Sequence, residues 1–343
     1  MKPHRLRIAI SAALSLAALA LAATPEQRVR LIPKFTPQES LRYQIETRLT
    51  ISGTTTTPIE NPEGASLLKQ TVSMLVRLDI LDAQPGTATS MGRVRLRATY
   101  EKSDATSETD AYDPQAAALE DQFTRLEGHS MQFTLEPDGK LSDITGLEEI
   151  LSNPSAAQSV RAWMSGLSSG AGFPKSGIVV GQKWKNEQPL TGTPLGGLFS
   201  RTEATYVRNE PCRAPASAPA TPQASPATAA SAKHSAPRSA ATDEICAIIL
   251  TRFEIVHHKS REDDTPEDYR RNGLRTSGTW TGRGESLDSI SISTGMVVSS
   301  TQTSSQEMDF QILSKTAGNR LFHKGRVQSE TDITLLPQTV AAP

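Results

Sequence analysis

LRYQIETRLTI, from Leu41 to Ile51, alternates Leu41, Tyr43, Ile45, Leu49 and Ile51 with Arg42, Gln44, Glu46, Arg48 and Thr50. An extended backbone turns successive side chains to opposite faces, so this stretch predicts a strand with one apolar and one wet face. The same period returns in Val72, Met74, Val76, Leu78 and Ile80, set against Thr71, Ser73, Arg77 and Asp79. It returns again in Val94, Leu96, Ala98 and Tyr100, set against Arg93, Arg95, Arg97 and Thr99. Strands with one solvated face belong to antiparallel sheet, and Gly, Pro and Asn signals over residues 52–64 and 84–86 supply the turns.

Downstream, Asp113 before Pro114 opens a helix whose Leu119, Phe123 and Leu126 share a face before Gly128. MQFTLEPDGKLSDITG then reads as two short strands around Pro137, Asp138 and Gly139. Asn153 and Pro154 start a second helix carrying Val160, Trp163 and Met164, which ends in the glycines from Gly166 to Gly172. Together these make a helical insert over residues 113–167, expected to cover one face of the sheet. Strands resume at IVVGQKWKNEQ (Ile178 to Gln188) and continue through TEATYVRNE and EICAIILTRFEIV. In the last of these, Ile245, Ala247, Ile249, Phe253 and Ile255 occupy one face and Ile248, Leu250 and Val256 the other, which places it centrally, covered on both sides. GTWTGRGESL, a hairpin turning at Thr294 and Gly295, and a last strand from Val327 to Leu336 complete the pattern. The expected fold class is α+β, mainly β. It is a large curved antiparallel sheet of roughly a dozen strands, open like a half-barrel, with two or three helices packed on one face.

At the start of the chain, MKPHRLR carries Lys2, Arg5 and Arg7, and the run from Ile8 to Ala23 is almost wholly Ala, Leu, Ile and Ser, with small residues at Ala20 and Ala22. Residues 1–22 are therefore expected to be a signal peptide, cleaved on export to the periplasm or the extracellular space and leaving no transmembrane span. Cleavage removes those three cations and takes the formal charge from −1 to −4. Export would put Cys212 and Cys246 where disulfides persist. They flank residues 213–242, RAPASAPATPQASPATAASAKHSAPRSAAT, in which no apolar side chain exceeds Ala. Such a stretch cannot offset its ordering entropy and is expected to stay a solvated loop. A Cys212–Cys246 bridge closing the neck of that loop is the expectation, with two unpaired thiols or an unbridged interdomain linker as the alternative. The domain plan is then a leader over 1–22, the N-terminal part of one β-rich domain over 23–212, the loop over 213–242, and strands completing the same domain over 243–343.

Composition excludes some broad classes. The chain has 36 Lys plus Arg against 37 Asp plus Glu, so no nucleic-acid partner is expected. Gly166-Leu167-Ser168-Ser169-Gly170 fits G-x-S-x-G, but a helix enters it and a Gly/Pro loop leaves, the reverse of the turn a nucleophilic serine needs. His257 and His258 are adjacent on a strand and point to opposite faces, so they cannot share one metal there. Glu262, Asp263, Asp264, Glu267 and Asp268 lack the spacing of a calcium loop and lie beside Arg261, Arg270 and Arg271. The Arg93, Arg95 and Arg97 stripe is what the wet face of a half-buried strand predicts. Trp163, Trp184 and Trp280 are read as core aromatics, with a sugar or lipid site as the alternative. Gly278, Gly282 and Gly284 lack the dinucleotide-binding context. No catalytic residue, metal site or cofactor is assigned.

LEPDGKLSDITG (Leu135 to Gly146), GIVVGQKWKNE (Gly177 to Glu187) and the hairpin around STGMVVSSTQ resemble an uncharacterised family of exported, β-rich bacterial proteins. In element order the chain also resembles the open half-barrels of periplasmic lipoprotein carriers. That resemblance implies an apolar concave face suited to acyl chains and supplies no catalytic residue. The expected function is a non-enzymatic exported envelope protein that binds an apolar ligand, lipid or lipoprotein-like, or another envelope component. Leu41, Tyr43, Ile45, Val72, Met74, Val76, Val94 and Leu96 are the residues expected on the concavity. An ordinary filled core explains the same alternation, and whether helices cover those faces or leave a groove separates the two. The rivals are a structural, assembly or adhesion module displayed by the 213–242 loop, and a secreted hydrolase, which would need a pair of carboxylates in a cleft.

Overall fold

The strand begun by Leu41 runs from Ser40 to Thr56 (β1) and pairs along both edges, so its backbone donors and acceptors are used on each side. The computed structural model describes residues 28–56, 67–87, 89–111, 114–138, 140–146, 172–190, 192–212, 244–258, 264–314 and 320–337. After β1 come β2 (Leu67–Ala83), β3 (Val94–Thr109), helix α1 (Pro114–Thr124), β4 (Ser130–Leu135), β5 (Leu141–Thr145), β6 (Lys183–Pro189) and β7 (Leu198–Pro211). Then follow β8 (Ile245–His257), helix α2 (Glu267–Arg271), β9 (Leu274–Ser291), β10 (Val297–Ser314) and β11 (Arg320–Leu336). The eleven strands form one antiparallel sheet in the order β5-β4-β3-β2-β1-β11-β10-β9-β8-β7-β6. β5 and β6 are its free edges, so the sheet does not close into a barrel. The β6 edge carries Lys183, Lys185 and Pro189, residue types that discourage pairing with another chain.

The mainly β antiparallel sheet is as expected, and only the two or three helices packed on one face need correction. The described chain is mainly β, with two short helices, and only α1 covers the sheet: its Phe123, and Leu126 just beyond it, are buried against β1–β4. The second predicted helix, over residues 153–166, lies outside the described residues. α2 falls within the charged stretch around Glu267 and Asp268 that the sequence set aside as a calcium loop. Thr265-Pro266 sets its start, and Glu267 pairs with Arg270 and Arg271 one turn on, which holds five residues in helix without burying any. GTWTGRGESL and the first arm of the hairpin that turns at Thr294 and Gly295, read as separate segments, are one strand, β9.

Residues 28–39 form a strap across one end of the half-barrel. Val29 exchanges backbone hydrogen bonds with Ile178, Lys34 N–H donates to Thr294 O in the β9–β10 turn, and Gln38 N–H donates to Ile80 O at the end of β2. Leu31 is buried beneath the strap with Ile178, Tyr206, Ile249 and Ile290, while Ile32 and Phe35 pack on the β1–β4 core. The crossing is close: a Cβ on Gly295 would lie 2.2 Å from Ile32 O.

The convex face is charged, with one exception. β-bulges at Val207 in β7 and Val298 in β10 break the alternation and turn both valines to that side. There they pack with Ile248 and with the Cys212–Cys246 disulfide. This small cluster is why both faces of β8 are buried at its start.

Candidate functional site

Side chains from β1–β3, β6–β11 and α1 line a single cavity of about 890 Å³ on the concave face. That size lies within the range of small-molecule sites, about 300–1,000 Å³. Toward the strap its walls are apolar. Tyr43, Ile45, Met74 and Val76 approach from β1 and β2, Ile333 from β11, and Ile249 and Ile290 from β8 and β9. Further along the strands the wall turns polar, because one register row runs Val72, Thr47, Thr331, Gln302, Ser286 and Thr251. The next row runs Gln70, Leu49, Ser329, Ser304 and Gly284. These hydroxyls partner one another: Thr47 with Thr331 at 3.2 Å and Ser304 with Ser329 at 2.7 Å.

Of the eight residues expected on the concavity, Tyr43, Ile45, Val72, Met74 and Val76 line this cavity. Leu41, Val94 and Leu96 are buried in the adjoining core with Leu78, Met131 and Phe133. The concave face is therefore filled on the β3–β4 side, under α1, and open beside it.

Among the described residues, Asp288 is the one in the lining that carries a charge. It accepts hydrogen bonds from Ser300 Oγ at 2.6 Å and Ser286 Oγ at 3.0 Å, and no Lys, Arg or His among the described residues pairs with it. Burial raises its carboxyl above the ordinary carboxylate value, and the two serine hydroxyls pull it part of the way back. The other titratable groups in the lining are two tyrosines, both pushed above the usual phenol range by burial. Tyr43 Oη donates to Val297 O at 3.2 Å, whereas Tyr100 Oη, fully buried, has no hydrogen-bond partner among the described residues. Asp288 and Tyr100 were missed in the sequence as polar groups of the site. The signal was parity: Asp288 is in phase with Ile290, and Tyr100 with Ala98.

Other sequence candidates fall elsewhere. Ser168 and Trp163 lie outside the described residues, as does the 213–242 loop. His257 contacts Asp264 at 3.2 Å and His258 contacts Glu187 at 3.0 Å, two separate pairs. Among the described residues no three His, Cys, Asp or Glu gather as a metal site would require. Arg93 pairs with Glu136 and Asp143, and Arg95 donates to Gln132. Trp184 lines the cavity beside Phe173, while Trp280 stacks on Phe310 with its indole N–H on Gln306. Gly282 and Gly284 sit where a Cβ would meet Ile255 and Phe253, so these glycines make room for side chains over β9.

No family model and no curated protein matches the chain. Among solved structures, a lipovitellin described for its lipid–protein interactions is similar over 90% of this chain, at 12% identity and a TM-score of 0.46. The chain spans 26% of that lipovitellin's length. An outer membrane channel from Pseudomonas putida is similar over 89% of this chain and 98% of its own, at 7% identity and a TM-score of 0.20.

Proposed function

We propose that the protein is a non-enzymatic, exported envelope protein that holds an apolar ligand, a lipid or lipid-bearing molecule, in its half-barrel. The observation that carries this reading is the cavity itself. A sheet that only needed a core would fill its concave face throughout, as it does under α1. Beside that core, about 890 Å³ stays open between apolar side chains of β1, β2, β8, β9 and β11. The strap closes the apolar end, which suits a chain-like ligand entering tail first. Tyr100 supports the same reading, since a buried hydroxyl without a partner is costly unless something arrives to meet it. Export is supported by the Cys212–Cys246 disulfide and by the leader-like residues 1–22. In this reading residues 213–242 are a solvated loop carried by one β-rich domain.

Native mass spectrometry of protein purified without detergent from the envelope of expressing cells tests the proposal. Lipid-sized mass adducts, released into organic solvent and identified, are expected. Protein that never carries lipid, and that also fails to take up fluorescent fatty-alcohol and fatty-amine analogues, would rule it out.

A further inference from the structure

Among the described residues, the lining of the cavity is uncharged except at one point. Asp288 sits where the apolar rows near the strap give way to the hydroxyl rows, at the level where the head of an amphiphile would lie with its tail toward the strap. Its register neighbours are Ser300 and Ile249, so no cation faces it across the sheet. The charged groups nearest along β9, Arg283 and Glu285, belong to the opposite, convex face. An ionised carboxyl offers about four acceptor positions, and two serine hydroxyls use only part of that capacity. The rest is available to a donor inside the cavity. A partly buried carboxyl without a counter-charge beside it is less favourable as an anion than one in water, and a bound cation offsets that cost.

We infer that Asp288 is the head-group site of this cavity and that its ligand is an amphiphile with a cationic amine. This rests on the apolar-ligand reading above and adds the sign of the head. The amine donates to the Asp288 carboxylate, Ser300 and Ser286 hold that carboxylate in place, and the tail runs toward the strap past Ile290, Val297, Tyr43 and Val76. A charge-assisted hydrogen bond separates the amine from an uncharged head of equal tail length.

Three probes with the same tail test it: dodecylamine, dodecanol and dodecanoate. Each is titrated at neutral pH, below its solubility limit or micelle-forming concentration, into wild-type protein and D288N by calorimetry, with intrinsic tryptophan fluorescence as a second signal. Wild type should prefer the amine over the alcohol about tenfold and bind the carboxylate most weakly. In D288N the amine preference should vanish while dodecanol affinity stays within about twofold of wild type. Dodecanoate binding as tightly as the amine, or an amine preference that survives in D288N, overturns the head-group assignment while leaving the cavity reading in place. Failure of all three probes overturns both. The wild-type ranking decides the matter by itself should D288N fold poorly.

Discussion

At the scale of single residues, Asp288 is a group whose fold and whose proposed chemistry pull in different directions. Desolvation raises its pKa above the ordinary value of 3.8, so the folded protein holds this proton to higher pH than the unfolded chain does. The sign follows by linkage: the contribution of Asp288 to stability is fully present below the unfolded value and is lost as pH rises through the folded one. Replacing it with Asn keeps the shape and a partner for each serine but removes the ionisation. Asp288→Asn should therefore be as stable as wild type near pH 4 and more stable at pH 7, by thermal melts in matched buffers. A stability difference that is flat with pH, or that grows as pH falls, would show that burial does not dominate at this carboxyl. The eight apolar candidates were legible because alternation assigns them a face, and each is on the concave side. Alternation gives no depth along the strand, so it could not tell the cavity-lining Ile45 and Val76 from Leu41 and Leu96, which pack against other strands. Asp288 obeys the same parity and was passed over because a charged residue was not sought among inward positions.

Elements show where parity fails and why. β9 contains Gly278, Trp280, Gly282 and Gly284 on its inward face, a run without obvious strand character in sequence. The neighbouring strands explain it. A Cβ on Gly284 would sit 2.3 Å from Phe253 Cε1 and 2.4 Å from Thr303 O, the second a backbone atom that cannot swing away. Two effects of opposite sign meet there. Ala gains about 0.5–1 kcal/mol over Gly in a strand interior from backbone entropy, while overpacking costs about 1–3 kcal/mol. The clash should win, so Gly284→Ala is expected to lower unfolding stability by about 1–2 kcal/mol in urea titrations. A neutral or stabilising result would mean that Phe253 and β10 yield more easily than their packing suggests. Bulges at Val207 and Val298 are a second failure of parity, since one inserted residue flips a face and leaves no mark beyond an extra valine. α2 had a local signal that was not used: Thr265-Pro266-Glu267-Asp268 has the form of a helix start, hidden within a stretch read only for its charge.

Across the whole molecule, pairing of β1 with β11 joins the strands before and after it into one open sheet, and the strap from Val29 to Gln38 ties its ends. Neither was legible, because both join segments far apart in sequence and neither carries a local motif. The Cys212–Cys246 bridge was legible, since the two cysteines flank a stretch whose composition has no apolar side chain larger than Ala, and the leader-like start led to an expectation of oxidising surroundings. The bridge joins β8 to the residue just after β7 on the convex side, packed with Ile248 and Val298, while the cavity is lined from the opposite face of the same strand by Ile249 and Thr251. Its role is therefore separable from the proposed ligand binding. With the two cysteines 34 residues apart, the chain-entropy model assigns the cross-link about 4 kcal/mol through restriction of the unfolded chain. The double variant Cys212→Ser, Cys246→Ser should lose stability of that order in denaturant titrations. Wild type in reducing buffer should fall to meet it. Dodecylamine affinity, measured at a temperature where the variant remains folded, should be unchanged. A loss under about 1 kcal/mol would mean that the sheet already restrains this neck in the unfolded ensemble. A drop in affinity without unfolding would mean that the two faces of β8 are coupled, and that the cavity depends on the convex cluster behind it.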